Sequence, residues 1–194
     1  MSSLKDRVLT LEADLRATPM RHYVYHDLPF AIFCYLPDEV WQIRREMRLL
    51  KTRLEKDNIR KVIFISLAEL LWQAVDESEG IEAVQGLEVI DGFEAAQLQV
   101  QDYLSDPDWR PLPDLLAEKL NGLDHNHDLV FIWRAGSLAP NLYRVSTLLD
   151  QMKGRTKVPC VLFMPATWEG NSLRFMGIAE NEGRGSYHTK VYVD

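Results

Sequence analysis

From Asp128 to Gly177 the chain alternates in a way that few folds accommodate. Leu129-Val-Phe-Ile-Trp133 is a continuous apolar run of strand length, and Arg134-Ala-Gly-Ser137 is a polar turn. Leu142 to Met152 has helical character, Val158-Pro-Cys-Val-Leu-Phe163 is a second apolar run, and Met164-Pro-Ala-Thr-Trp-Glu-Gly170 is a second polar turn. Strand, turn, helix, strand predicts neighbouring strands of an open α/β sheet. The two turns leave those strands at the end where such sheets place their sites.

The rest of the chain extends this unit. Leu4, Val8, Leu11 and Leu15 fall on one face of a helix that ends before Thr18-Pro19. Pro29 to Leu36 is an apolar run suited to a strand buried on both faces. Val40, Ile43, Met47, Leu50 and Leu54 form the seam of a helix over 38–57, with Asp38 as its expected cap. Arg44, Arg48 and Lys51 flank that seam. Lys61 to Ser66 is the second strand, and the resulting βαβ unit calls for a right-handed crossover. Residues 66–128 contain no convincing strand. Helices are expected over 67–75, 81–103 and 112–120, with Gly80, Gly86 and Gly92 as breaks and 107–113 as a loop. Residues 173–178 and 187–193 read as two further strands, paired with each other antiparallel at an edge. The fold class is therefore three-layer α/β: one domain over 1–194, a mostly parallel sheet, a helical insertion at 66–128 between strands 2 and 3, and an antiparallel C-terminal edge.

Composition excludes several functions. The apolar runs are far shorter than the ~20 residues of a membrane span, and the N-terminus has no apolar core of a signal peptide. Two cysteines make no disulfide framework, so a reducing cytoplasm is expected. The formal net charge is −7, and residues 66–128 hold 15 Asp and Glu against Arg110 and Lys119. A nucleic-acid ligand needs a basic face. DNA contact is therefore expected to be weak or indirect, with the basic helix 44–56 as the one alternative route.

No phosphate-cradling glycine motif is present. His125-Asn-His127-Asp128 has metal-ligand types but no second pair to complete a site, and is read as a polar turn. Cys34 and Cys160 lie within apolar runs and are read as core. Ser137, Arg144, Thr147, Thr167 and Glu169 form the best polar set; they are read first as capping and turn chemistry and second as a ligand or partner surface, and no general base accompanies them. No catalytic residue, metal or cofactor is assigned. Trp72, Trp109 and Trp168 are candidate aromatic anchors, with Trp109 in a proline-rich loop expected to be the most exposed.

These residues carry a resemblance. Pro29, Phe30, Ile32, Phe33 and Tyr35 match a "P-F-x-I-F-x-Y" strand. Gly136, Ser137, Arg144, Thr147 and Leu149 match a glycine turn followed by an Arg-x-x-Thr-x-Leu helix. Val158 to Leu173 matches a "P-L-V-L-F-Y-P-G-x-Y-D-G-x-S-L" segment, followed by Phe175-Met-Gly177. In this order and spacing the chain resembles the BrxB family of BREX bacteriophage-exclusion systems. Ser146 stands where that pattern has His, Ala166 where it has Gly, and Trp168-Glu169 where it has Tyr-Asp. The resemblance implies work beside a DNA adenine methyltransferase, a large ATPase and a PglZ-domain protein. It implies a non-catalytic component acting through protein contacts, with the PglZ-domain protein or the ATPase as partner. Arg44, Arg48, Lys51 and Trp109 are the expected interface residues. A degenerate nucleotide-binding or hydrolytic domain is the third possibility.

Overall fold

A computed structural model of the chain describes residues 3–23, 27–169, 172–177 and 189–193, with the side chains of Trp168, Glu169 and Ser172 outside that description. The order of elements is α1 (Leu4–Arg16), β1 (Phe30–Tyr35), a 3-10 turn (Pro37–Glu39), α2 (Val40–Lys56), β2 (Lys61–Ser66), α3 (Leu67–Glu77), α4 (Ile81–Asp91), α5 (Phe93–Ser105), α6 (Leu112–Leu120), β3 (Asp128–Trp133), a second 3-10 turn (Ala135–Leu138), α7 (Val145–Met152), β4 (Cys160–Glu169), β5 (Ser172–Phe175) and β6 (Lys190–Tyr192).

The main sheet runs β2-β3-β4-β1-β6, every neighbouring pair parallel. The period-two rule of strands divides their side chains between two cores. Phe30, Ile32 and Cys34 of β1 join Val130, Ile132, Cys160 and Leu162 under α3, α5, α6 and α7. Ala31, Phe33 and Tyr35 join Phe131, Val161 and Phe163 under α1 and α2. Phe33, Phe131 and Phe163 come from three neighbouring strands, their ring centroids 5.4 Å and 5.1 Å apart along the row. Each such buried ring contributes about 1.5–3 kcal/mol of burial energy, and edge geometry adds a little more. Both faces of the sheet are thereby covered, as the uninterrupted apolar runs require.

Helix α1 is fixed on α2 by ions as well as by its leucine seam. Glu12 accepts hydrogen bonds from Arg53 at 2.7 Å and from Arg16 at 2.9 Å, and Arg16 also donates to Asp57 at 2.8 Å. Its start is a capping box, in which Ser3 and Asp6 satisfy each other's backbone N–H.

Three expectations differ from what is found. Among the described residues the two C-terminal segments do not pair with each other. β5 folds back antiparallel onto the far end of β4, while β6 joins the main sheet parallel to β1. The parallel pairing of β4 stops at Pro165, leaving its last residues free to pair with β5. Asp38 does not cap α2. The chain enters through a 3-10 turn opened by Pro37, and Glu39 reaches back to the Leu36 N–H at 2.8 Å. Within 81–103 one of the two expected breaks is made, at Gly92, which sits at φ +90° between α4 and α5, where an L side chain is strained. Gly86 passes through mid-helix without a break.

Candidate functional site

Chain leaving β1 enters α2 on one face of the sheet, and chain leaving β3 reaches α7 on the other. β4 lies between them. The connections diverge at the carboxyl ends of these strands, which is where open α/β sheets form a crevice. A cleft of about 410 Å³ opens there, walled by Tyr35, Met47, Phe163 and Pro165 and by the turn Trp133, Arg134, Gly136 and Ser137, with Arg44 from α2. A smaller cavity of about 120 Å³ adjoins it between Arg44, Arg48, Phe64 and Trp133.

The cations here are held by aromatic rings. The Arg44 guanidinium lies 4.8 Å from the Trp41 ring centroid and 5.4 Å from that of Trp133. Arg134 lies 5.5 Å from the Trp133 centroid. Such stacking fixes a guanidinium without using its N–H donors. Arg134 has φ +59°, a left-handed conformation that usually falls to Gly or Asn. Its carbonyl accepts a hydrogen bond from the Ser137 hydroxyl at 2.9 Å, which tightens the turn. Burial pushes the Tyr35 phenol up to about 12, against the opposing charge of Arg44, so Tyr35 itself stays a neutral hydroxyl at physiological pH.

The residues singled out from sequence are only partly brought together. Ser137 and Arg44 line the cleft, and Arg48 lines the adjoining cavity. Arg144 and Thr147 are exposed at the start of α7 and do not line the cleft. Thr167 pairs with Arg174 of β5, and its hydroxyl is buried without a hydrogen-bond partner among the described residues. The Glu169 side chain lies outside the description. Lys51 is tied down, donating to the Val62 carbonyl at 2.8 Å beside Glu55 at 3.4 Å.

Trp109 is not the exposed anchor its loop implied. It packs on the core, edge-on to Tyr103 with centroids 5.2 Å apart. Trp72 is 52 % exposed and Trp41 75 %. Side-chain detail of Trp168 lies outside the description. The His125–Asp128 segment is a hydrogen-bonded turn. Asp128 accepts the Asp124 N–H at 2.9 Å, and Asp124 accepts the Asn126 N–H at 2.9 Å.

Trp41, Trp133 and Arg134 were missed as site residues. One signal was available: Trp41, Arg44 and Arg48 are three and four apart, hence on one face of α2.

The model of the family described as "BREX protein BrxB" matches residues 63–190, about two thirds of the chain. The chain belongs to the BrxB family. A BrxB relative from Bacillus cereus (strain H3081.97), itself described as "BREX protein BrxB", is 23 % identical over 158 residues, 78 % of each protein. No solved structure matches the chain. Membership makes the chain a component of a BREX phage-defence system. The matched span takes in the Trp133–Ser137 side of the cleft and the whole helical insertion, while Tyr35 and Arg44 precede it. Among the described residues no helix is long and apolar enough to cross a membrane.

Proposed function

We propose that the chain is a non-catalytic component of its BREX system and acts by docking α4 and α5 onto a larger protein of that system. The observation that carries this reading is a set of large apolar side chains left exposed on those two helices. Val89 is 87 % exposed, Ile90 79 %, Phe93 64 % and Leu98 59 %. Large contiguous apolar patches on soluble proteins mark interaction sites. Glu82, Glu88, Asp91 and Glu94 share the same helices. Arg110, one of only two basic residues in the insertion, is held by Glu77 and Glu118. The surface is thus apolar with an acidic surround, suited to a partner that offers an apolar seat edged by Lys and Arg. In such contacts the aromatic and aliphatic anchors set affinity and the rim charges set encounter rate and partner choice.

The PglZ-domain protein is the first choice of partner and the BREX ATPase the second. Duplex DNA is a poorer fit, because Lys51 and Arg53 of the basic helix are already engaged and the net charge is −7. Co-purification from cells expressing the whole system tests this. Ile90→Asp with Phe93→Asp is expected to abolish the complex and defence while leaving the urea midpoint unchanged. Recovery of the wild-type chain alone at monomer mass, or a complex indifferent to both substitutions, refutes the reading.

A further inference from the structure

We propose that the cleft at the carboxyl ends of β1, β3 and β4 binds a nucleoside phosphate, with its phosphate on Arg44 and Arg134 and its base against the apolar wall. The charge pattern comes first. In a chain of net charge −7, the described residues lining this cleft include two arginines and no Asp or Glu. Both guanidiniums stack over the same indole, at 5.4 Å and 5.5 Å from its centroid. Neither has an ion-pair partner among the described residues, whereas Arg7, Arg16, Arg53, Arg110 and Arg155 each do. Glu39, near the rim, is committed to the Leu36 N–H and to Arg7. Two like charges gathered around one ring are stabilised by an anion bound between them, and their planar donor forks suit phosphate oxygens.

Shape and polarity supply the rest. A volume of about 410 Å³ lies at the lower end of the ~300–1,000 Å³ usual for ligand sites. It holds one nucleoside, not a dinucleotide. Tyr35, Met47, Phe163, Pro165 and Met176 give flat and flexible apolar contact for a planar base. The Ser137 proton is spent on the Arg134 carbonyl, so its oxygen faces a ligand as an acceptor for a sugar hydroxyl or an exocyclic amine. The nucleoside phosphate comes either as a free nucleotide or as one residue of a single strand. The cleft and the α4–α5 surface are built from different elements, so the failure of either proposal leaves the other standing.

Calorimetric titration of the full chain at low salt with AMP, inorganic phosphate and a short oligothymidylate tests the proposal. AMP should bind at least ~10-fold more tightly than phosphate. The paired change Arg44→Gln and Arg134→Gln should weaken AMP by ~10–100-fold, the range for charge-assisted hydrogen bonds, without moving the thermal midpoint. Gly136→Leu is the steric arm. A side chain grown there meets Met176 Sδ at 3.5 Å and Pro165 Cγ at 3.6 Å. It should weaken AMP and leave phosphate unaffected. Oligothymidylate binding more tightly than AMP, with the same sensitivity to both arginines, makes the ligand a strand. Phosphate binding as well as AMP, nucleotide binding indifferent to the arginine pair, or no binding by AMP and the oligonucleotide overturns the proposal.

Discussion

Tyr192, on the last strand, donates its hydroxyl to the carboxylate of Asp14, on the first helix, across 2.7 Å. Lys190 reaches the same carboxylate, and Arg21 lies 3.8 Å from it. Burial alone would push the Asp14 carboxyl up. The hydrogen bonds of Lys190 and Tyr192, with the charges of Lys190 and Arg21, outweigh it and hold the group below the usual carboxylate range. A depressed folded value means that this stability is present above the unfolded value near 3.8 and is lost as pH falls through the folded one. Tyr192→Phe removes a hydrogen bond to a buried charge and should cost about 1.5–3 kcal/mol in urea denaturation at neutral pH. A loss below about 0.5 kcal/mol would show that the contact contributes nothing.

His22 gives the same direction of pH dependence by a different route. It is fully buried, and burial, helped by the charges of Arg60 and Lys190 and opposed by Asp14, pushes it from 6.5 down to about 4. The unfolded chain takes up the proton first, so stability is complete above pH 6.5 and falls as pH drops towards 4. The total loss is about 3 kcal/mol. Denaturation midpoints followed from pH 7.5 to 4.5 should show this slope in the wild type and lack it in His22→Phe.

Cys34 and Cys160 are 3 % and 0 % exposed. Burial pushes the Cys34 thiol up to about 12 and raises the Cys160 thiol as well. Native protein should therefore react with a thiol reagent only as fast as it opens, and denatured protein at once. Rapid labelling of either cysteine in the native state would contradict their place in the core.

Two glycines of the insertion should respond to alanine with opposite signs. Gly86 is helical and a Cβ there meets nothing within 4 Å, so Gly86→Ala should stabilise by about 0.5–1 kcal/mol. Gly92 has equal room but φ +90°, so Gly92→Ala should destabilise by about 1–2 kcal/mol. Thermal denaturation of the two variants separates space from backbone strain, since space is the same in both.

The sequence marks the core strands plainly. Phe30 to Tyr35, Leu129 to Ile132 and Cys160 to Phe163 lack alternation because both their faces are covered. The seam of α2 is equally legible, since Ile43, Met47, Leu50 and Leu54 are all buried. What local pattern cannot carry is pairing at a distance. The three residues of β6 hold too little periodicity to name a partner, and a parallel place beside β1 depends on Asp14, far away in the chain. The cleft has the same difficulty, because Arg44 and Trp133 meet only once β1, β3 and β4 lie side by side. Trp109 sits among prolines that signal a surface loop, yet Tyr103 gives its ring a place in the core.

The shortness of β6 bears on how copies of this chain treat one another. Lys190–Tyr192 covers Ala31, Ile32 and Phe33, the middle of a strand buried along its whole length. An uncovered strand of that composition is a template for edge-to-edge aggregation. Among the described residues three hold that edge closed, and two of them are fastened by a single carboxylate on α1. Release of Asp14 would therefore expose a sticky edge before the sheet itself came apart, and self-association would precede unfolding.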